Sequence, residues 1–421
     1  MREFTRTLLI VLLSGGFVRA QPAEPRQGRD EMPFNPGLVR KLPATVETPA
    51  NSAGPIVKGK TVYSVNGPWG QLEYYVVHLM APSHYLDMLQ PETEATVWVF
   101  DNSTLEEAGQ FLEEVGLGQA DIPDEERSIR YSAEGPDVRL FPSGEMVKSL
   151  TPEQRTKLAR RLSGDSRNQY YEWPSIIDSG DPETWFREAG LSEANVELIA
   201  SLCYRRGDVL LFSDIPYVLS LQRDADERNR VLRAATRTRS LVVRLNVGGS
   251  GDIQDVVNYW TAGHKRKALM PILESVSEVE EVERIDVAHL LPPIPRMLLY
   301  TYPSFASMAQ GELRDCHWTC RNFFNPVITA VIQDSDSRTK MLLDSLDPVD
   351  RPPEFGDTMI VYSDDDQILH SMTYIAADIV FTKNGGSVFQ PWVLMHYKDV
   401  LRRYTFDQKT TVKVFRPRTS S

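Results

Sequence analysis

A cysteine and a histidine in the last third of the chain have the types and the spacing of a thiol nucleophile and its base. Asp315-Cys316-His317-Trp318 stands where a helix is predicted to begin, and His370 follows 54 residues after the cysteine in a strand-like run. The start of a helix lowers the pKa of a thiol, and an imidazole takes the thiol proton or pairs with the thiolate. Cys316 and His370 are therefore predicted to be the nucleophile and the general base of a cysteine hydrolase.

The three cysteines of the chain have different expected roles. Cys320 lies one turn further along the predicted helix, where a low pKa is harder to arrange, so it is the weaker candidate nucleophile. The spacing between Cys316 and Cys320 is poorly suited to a disulfide. Cys203 lies in an apolar helix and is predicted to be a buried core thiol. A CxxxC pair also lacks the spacing of common zinc sites, so neither a metal nor another cofactor is predicted.

Length, composition and charge limit the class of protein. The chain has 421 residues, of which 41% are hydrophobic, which suffices for two domains with sizeable cores. Its formal net charge is -12 at pH 7, so nucleic acid and anionic lipid are poor candidates as partners.

The first residues have the pattern of a signal peptide, which is predicted for residues 1–20. Arg2 and Arg6 form a basic start, residues 8–13 an apolar core, and Val18-Arg19-Ala20 a cleavage site with small residues. The apolar core is too short to span a bilayer, so no membrane anchor is predicted. The expected location is secreted or periplasmic; an uncleaved amphipathic start is the alternative.

Composition divides the remaining chain into three parts. Residues 21–60 hold seven prolines and no apolar periodicity, which predicts a disordered linker. Residues 61–295 alternate short strands and helices and predict an α/β domain of unknown role. The proline-rich segment 290–295 marks a boundary. In residues 296–421 one helix precedes antiparallel hairpins, so this module, and the fold class as a whole, is predicted to be α+β.

Local patterns predict individual elements. Before the boundary we predict strands at 72–80, 95–101 and 138–141, a helix whose capping box begins at Ser103, and a helix opened by Thr151-Pro152. After the boundary we predict a helix that begins at Cys316, another at 398–404, and strands at 297–302, 358–362, 368–375, 379–382 and 411–415.

Two stretches of the first domain resemble each other. Residues 111–117 (Phe-Leu-Glu-Glu-Val-Gly-Leu) parallel residues 185–191 (Trp-Phe-Arg-Glu-Ala-Gly-Leu), and Leu140-Phe141 parallels Leu211-Phe212. The nearly constant offset is what an internal duplication would leave. A chance echo of common helix-stop and strand patterns is the alternative.

The C-terminal module resembles the NlpC/P60 branch of papain-like cysteine peptidases and amidases. In that family Asp-Cys-Ser-Gly opens the central helix, and a His-x-Gly-Ile-Tyr strand supplies the base. This chain has Asp315-Cys316-His317-Trp318 and His370-Ser371-Met372-Thr373-Tyr374, with Gly356-Asp357 before the strand. Ser-Gly after the cysteine and Gly after the histidine are missing. The resemblance covers about residues 296–410 and implies a helix packed on an antiparallel sheet.

The resemblance also implies positions for two further catalytic residues. The residue that orients the base lies about a dozen residues after it in the family, at Thr382. Threonine orients an imidazole poorly, whereas the carbonyl of Asn384 can accept the ring N–H, so Asn384 is predicted. Family members often use a tyrosine before the cysteine as oxyanion donor, and Tyr302, beside Tyr300, is the candidate.

These residues predict an exported cysteine hydrolase that cleaves an amide bond. The resemblance implies a peptide or peptidoglycan-like substrate. The alternative is a non-catalytic exported binding or scaffold protein that keeps a degenerate hydrolase fold, which the missing Ser-Gly favours.

Overall fold

The structure is a computed structural model that describes residues 61–88, 90, 96–117, 129–134, 137–247, 253–263, 266–279, 282–304, 312, 314–331, 334–405 and 408–418. The predicted signal peptide and linker, residues 1–60, lie outside the described residues. Among the described residues, no helix has the length and apolar character needed to cross a membrane.

The described chain contains both strands and helices along its whole length. The strands are β1 (Val62–Tyr63), β2 (Gln71–Leu79), β3 (Trp98–Phe100), β4 (Ile129–Glu134), β5 (Asp137–Pro142), β6 (Ser175–Ile177), β7 (Tyr204–Arg206), β8 (Val209–Phe212), β9 (Thr238–Asn246), β10 (Arg284–Asp286), β11 (Leu346–Pro348), β12 (Thr358–Ser363), β13 (Ile368–Ala376), β14 (Ile379–Lys383), β15 (Trp392–His396) and β16 (Thr410–Pro417). The helices are α1 (Leu105–Glu114), α2 (Gly144–Ser149), α3 (Pro152–Leu162), α4 (Gln169–Glu172), α5 (Pro182–Glu188), α6 (Glu193–Ser201), α7 (Ile215–Ser220), α8 (Ala225–Ala235), α9 (Ile253–Trp260), α10 (Met270–Glu278), α11 (Pro293–Leu298), α12 (Cys316–Arg321), α13 (Ser335–Asp344) and α14 (Tyr397–Arg402).

The described chain forms two compact units whose boundaries differ from the predicted ones. One unit consists of residues 61–78 and 239–418, and the other consists of residues 79–238. The predicted boundary at 295/296 falls inside the first unit. The sequence was divided at a proline-rich segment, but chain segments on both sides of that segment contribute to the same hydrophobic cluster, including Leu241, Leu290, Trp318 and Phe381.

The sheets are antiparallel, which confirms the coarse α+β prediction. In residues 79–238 there are two three-stranded sheets, with strand orders β3-β5-β4 and β6-β8-β7. Each sheet therefore places its third strand between its first and its second. Residues 111–117 and 185–191 include the ends of the helices α1 and α5, which follow the first strand of each sheet, and Leu140-Phe141 and Leu211-Phe212 lie on the middle strands β5 and β8. An internal duplication stays a prediction.

The unit with residues 239–418 contains a six-stranded sheet that carries the candidate site. Its strand order is β11-β16-β12-β13-β14-β15, and a second sheet has the order β1-β2-β9-β10. Trp318 and Phe323 from α12 and its end share the hydrophobic cluster with Ile375 of β13 and Phe381 of β14. Trp392 of β15 also donates its indole N–H to Thr319 Oγ1 of α12 at 3.0 Å. A helix thus packs on an antiparallel sheet, as predicted.

Two local predictions are wrong in an informative way. The capping box of α1 is formed by Thr104 and Glu107, one residue later than predicted from Ser103. Residues 297–302 do not form a strand, because the prolines that precede them open α11: a proline is tolerated in the first helical turn, where its missing N–H has no partner to lose. The extended part is limited to one parallel bridge between Leu299 and Trp392.

Candidate active site

Asp315 fixes the point where α12 begins. Its side chain accepts a hydrogen bond from the backbone N–H of Trp318 at 2.8 Å, which is the contact of an N-cap residue. Its other carboxylate oxygen accepts from Nε of Arg338 on α13 at 2.9 Å. Both partners of this ion pair are buried, so removal of Arg338 would take from the buried Asp315 carboxylate its charged partner. The cap therefore holds Cys316 rigidly as the first residue of the helix.

The neighbouring side chain of His317 contacts the sulfur of Cys316. The distance between Cys316 Sγ and His317 Nδ1 is 3.8 Å. Burial by itself raises the pKa of a thiol, but His317 and then His370 outweigh this effect and hold the pKa of Cys316 well below its usual value. Burial also lowers the pKa of an imidazole, yet the Cys316 thiolate raises the pKa of His317 to about 9. The two side chains therefore form a thiolate–imidazolium pair near neutral pH.

His370 completes the group of residues around the sulfur. Its Nε2 is 2.8 Å from Thr382 Oγ1 on the neighbouring strand β14. Its ring stacks on Tyr404, with centroids 4.4 Å apart and an angle of 18° between the planes. Nδ1 makes no hydrogen bond with another described residue, and the imidazole lies near enough to the Cys316 thiol to lower its pKa. The structure thus brings Cys316, His317 and His370 together, with the plane of one imidazole fixed from two sides.

Asn384 does not have the contact that the sequence predicts. Its Oδ1 accepts no hydrogen bond from a described residue, and its amide lies 3.5 Å from the sulfur of Met395. The prediction that it accepts the ring N–H of His370 is therefore wrong. The reason is local: β14 ends at Lys383, so Asn384 falls in the turn before Gly385, which has a φ of 78°. Thr382, still on the strand, contacts the imidazole.

This arrangement predicts a difference between two matched substitutions. Thr382→Val keeps the shape of the side chain but removes the oxygen that contacts His370, so we expect turnover to fall about 10-fold. Asn384→Ala should leave turnover within about twofold, because its carbonyl makes no hydrogen bond to lose. Turnover of an activated ester by the two variants is the measurement. An equal loss in both variants, or a larger loss in Asn384→Ala, would contradict the assignment.

Tyr302 lies in the segment after α11 and is half-buried. The carbonyl of the preceding residue, Thr301, accepts from the backbone N–H of Trp392 at 3.1 Å. The indole of Trp392 also donates a hydrogen bond to Thr319, so Trp392 connects this segment to the helix that carries Cys316. The oxyanion role of Tyr302 stays a prediction.

The other two thiols are poor nucleophiles. All three cysteines are free and buried. Burial raises the pKa of Cys320 to about 12, and it does the same for Cys203, whose Sγ lies 3.2 Å from the carbonyl of Ile199. A thiol with such a pKa is almost entirely protonated at neutral pH. Among these cysteines, only Cys316 has the environment of a reactive thiolate.

The amine of Lys383 is a further titratable group near the site. Its side chain is fully buried, and Nζ donates to the carbonyls of Gly385 and Ser387 at 2.8 and 2.7 Å. Burial lowers the pKa of this amine to about 7, while Asp315 and Cys316 act in the opposite direction and raise it. The amine therefore lies close enough to the thiolate to favour its charged form.

Several contacts of the site carry a weak or misleading signal in the sequence. The sequence favours His370 over His317 as the base, because His317 does not lie on a strand that crosses the helix, although its position directly after the cysteine is an available signal. It favours Asn384 over Thr382, because threonine orients an imidazole poorly. Lys383 and Arg338 carried no signal, because a single cation in a strand or helix is commonplace.

No protein-family model, curated protein or solved structure matches the chain. Within the described ranges, no group of three or more histidine, cysteine, aspartate or glutamate side chains could hold a metal ion.

Proposed function

We propose that the unit with residues 239–418 is a cysteine hydrolase that cleaves an amide bond, with Cys316 as nucleophile. The observation that carries this proposal is the pair formed by Cys316 and His317, with Sγ and Nδ1 3.8 Å apart at a capped helix start. A buried structural thiol is normally protonated, whereas this one is flanked by two imidazoles that favour the thiolate. Such an environment is typical of a nucleophile.

Each residue of the site has a step to perform. The Cys316 thiolate attacks the carbonyl carbon, and the C–N bond breaks as the leaving amine takes the proton of the His317 imidazolium, which leaves the acyl group on the sulfur as a thioester. His370, which Thr382 fixes through Nε2, then removes a proton from water with Nδ1, and this proton replaces the one that His317 gave up. The resulting hydroxide attacks the thioester, releases the acid and restores the thiolate.

The resemblance to NlpC/P60 domains extends the proposal to the substrate and the location. The chain matches that pattern at Asp315-Cys316 and at His370, and the helix-on-sheet arrangement is the one that the resemblance implies. We accordingly infer a peptide or peptidoglycan-like substrate. The signal-peptide pattern of residues 1–20 supports an exported, secreted or periplasmic protein. The acidic net charge of -12 argues against nucleic acid as partner.

A second candidate is a non-catalytic binding or scaffold protein with a degenerate hydrolase fold. One observation favours it: Cys316 is 5% exposed and His370 is 0% exposed. A nucleophile must reach a carbonyl carbon, so this degree of burial favours a protein in which the group has only a structural role. The lowered pKa of Cys316 argues for the enzyme, because a purely structural role does not require a thiolate.

Acylation by an activated ester separates the two candidates. The full chain is mixed with p-nitrophenyl acetate, and the release of p-nitrophenolate is followed while the protein is digested and analysed by mass spectrometry. A hydrolase releases one equivalent rapidly and carries the acetyl group on the peptide with Cys316. Soluble peptidoglycan fragments then test the substrate class through new amino termini. Absence of an acetylated Cys316 at all times would favour the scaffold.

A further inference from the structure

Ser371 is a buried polar residue that contacts the site and has no role in the mechanism above. It follows His370 on β13 and is completely buried. Its Oγ lies 3.0 Å from Nδ1 of His317, the same nitrogen that faces the Cys316 sulfur. A hydroxyl in this position restrains rotation of the imidazole, in addition to the contact with the sulfur.

The main chain of the same residue supports the other imidazole. The hydroxyl of Thr382 donates to the carbonyl of Ser371 at 3.5 Å. With its proton turned towards this carbonyl, the Thr382 oxygen is free to accept from Nε2–H of His370 at 2.8 Å. That tautomer leaves a lone pair on Nδ1, which is the form a general base needs. One residue therefore supports His317 through its side chain and His370 through its carbonyl.

The oxygen of the Ser371 hydroxyl can accept a hydrogen bond from Nδ1–H of His317 across their 3.0 Å contact, because a hydroxyl oxygen keeps its lone pairs when its own proton points elsewhere.

A β-bulge lies directly before His370 and Ser371, the two successive strand residues that serve the site. Here Val361 pairs with His370 and Tyr362 with Ile368, so an extra residue is inserted directly before His370. A bulge of this kind twists the strand and re-aims side chains, and bulges often lie beside active sites.

We propose that Ser371 is a positioning residue, which fixes the ring of His317 beside the Cys316 sulfur and, through its carbonyl and Thr382, the ring of His370. The inference rests on the proposed function, but it can fail separately. Other charged or titratable groups around the thiol are Asp315, Arg338 of α13, Lys383 of β14 and Tyr404 after α14, and the variants below leave all of them in place.

The test measures how the rate of alkylation of Cys316 by iodoacetamide depends on pH. In Ser371→Ala the midpoint of this profile should move up by about one unit or more, which is at least a tenfold loss of thiolate at acidic pH. Thr373→Val is the matched control, since it removes another buried hydroxyl of β13 that makes no hydrogen bond with a described residue, and it should keep the profile of the unaltered protein. A merely structural role of Ser371 would change stability without moving the midpoint.

If Ser371→Ala does not fold, two variants whose new side chains have nearly the same shape provide the same test. Ser371→Thr retains the hydroxyl and Ser371→Val lacks it, so the proposal predicts a low midpoint in the first and a raised one in the second. Equal midpoints in these two, with a raised midpoint in His317→Gln, would overturn the role of Ser371 and leave the proposed function intact. An ordinary thiol profile in the unaltered protein would instead overturn the proposed function.

Discussion

Replacement of Cys316 by serine should reduce amide or ester turnover by about 1,000-fold or more, because no other thiol in the chain is placed to become a nucleophile. A serine hydroxyl stays protonated beside an imidazolium, so the contact with His317 does not convert the new side chain into a nucleophilic anion as it does for the thiol. The substitution changes a single atom in a buried position, and the fold should be retained. Turnover and the far-ultraviolet circular dichroism spectrum together are the measurement.

Cys320→Ser is the matched control for this substitution. It alters the other cysteine of α12, whose pKa burial raises to about 12, and it should leave most of the activity. A loss in Cys320→Ser as large as that in Cys316→Ser would contradict the assignment of the nucleophile. Activity that survives in both variants would show that the chemistry is carried elsewhere.

Replacement of His370 by alanine should lower turnover by about 1,000-fold, because a positioned general base contributes about 100-fold to 10,000-fold to such reactions. The Cys316 thiolate should survive in part, since His317 is the stronger of the two influences on its pKa. We therefore expect a variant that is acylated slowly and deacylated more slowly still. Single-turnover kinetics with p-nitrophenyl acetate separate these two steps.

His317→Gln provides the contrast to His370→Ala. The amide keeps a polar side chain at this position but cannot carry the charge, so the midpoint of thiol alkylation should rise towards its ordinary value. The rise should be larger in His317→Gln than in His370→Gln. The reverse order would show that the two imidazoles have exchanged roles.

The sequence predicted the site where strong local signals coincide. Asp315 is a residue with high N-cap preference directly before an apolar pattern, so the start of α12 and the place of Cys316 followed from one residue. The strands predicted at 358–362, 368–375 and 379–382 agree with β12, β13 and β14 within one residue. His370 then lay on a central strand of the sheet against which α12 packs.

Contacts that depend on register and side-chain direction could not be predicted. Whether Thr382 or Asn384 reaches His370 depends on where β14 ends, which the sequence does not fix closely. The contact between His317 Nδ1 and Ser371 Oγ joins residues 54 positions apart in the chain, so no local pattern indicates it. The strand β15 and the helix α13 were missed, although the latter carries the Arg338 partner of Asp315.

The prediction of a domain boundary at 295/296 is wrong for a topological reason. Residues 79–238 form their own unit between β2 and β9, two strands that lie side by side in one sheet. The chain leaves this sheet after β2 and returns to it at β9. Local composition does not indicate such a long insertion between two neighbouring strands. The proline-rich segment 290–295, by contrast, has a strong mark but opens only a short helix.

The pH profile of Cys316 alkylation in the full-length protein tests the central claim most directly. Iodoacetamide is applied across about pH 4 to 9, and labelled cysteines are located by mass spectrometry. Because the pKa of Cys316 is lowered, its thiolate persists well below pH 9 and is lost only as the pH falls through that lowered value, so rapid labelling at acidic pH is predicted for Cys316 alone. Labelling of Cys316 that appears only as the pH approaches the ordinary thiol value of 9.0 would contradict the account.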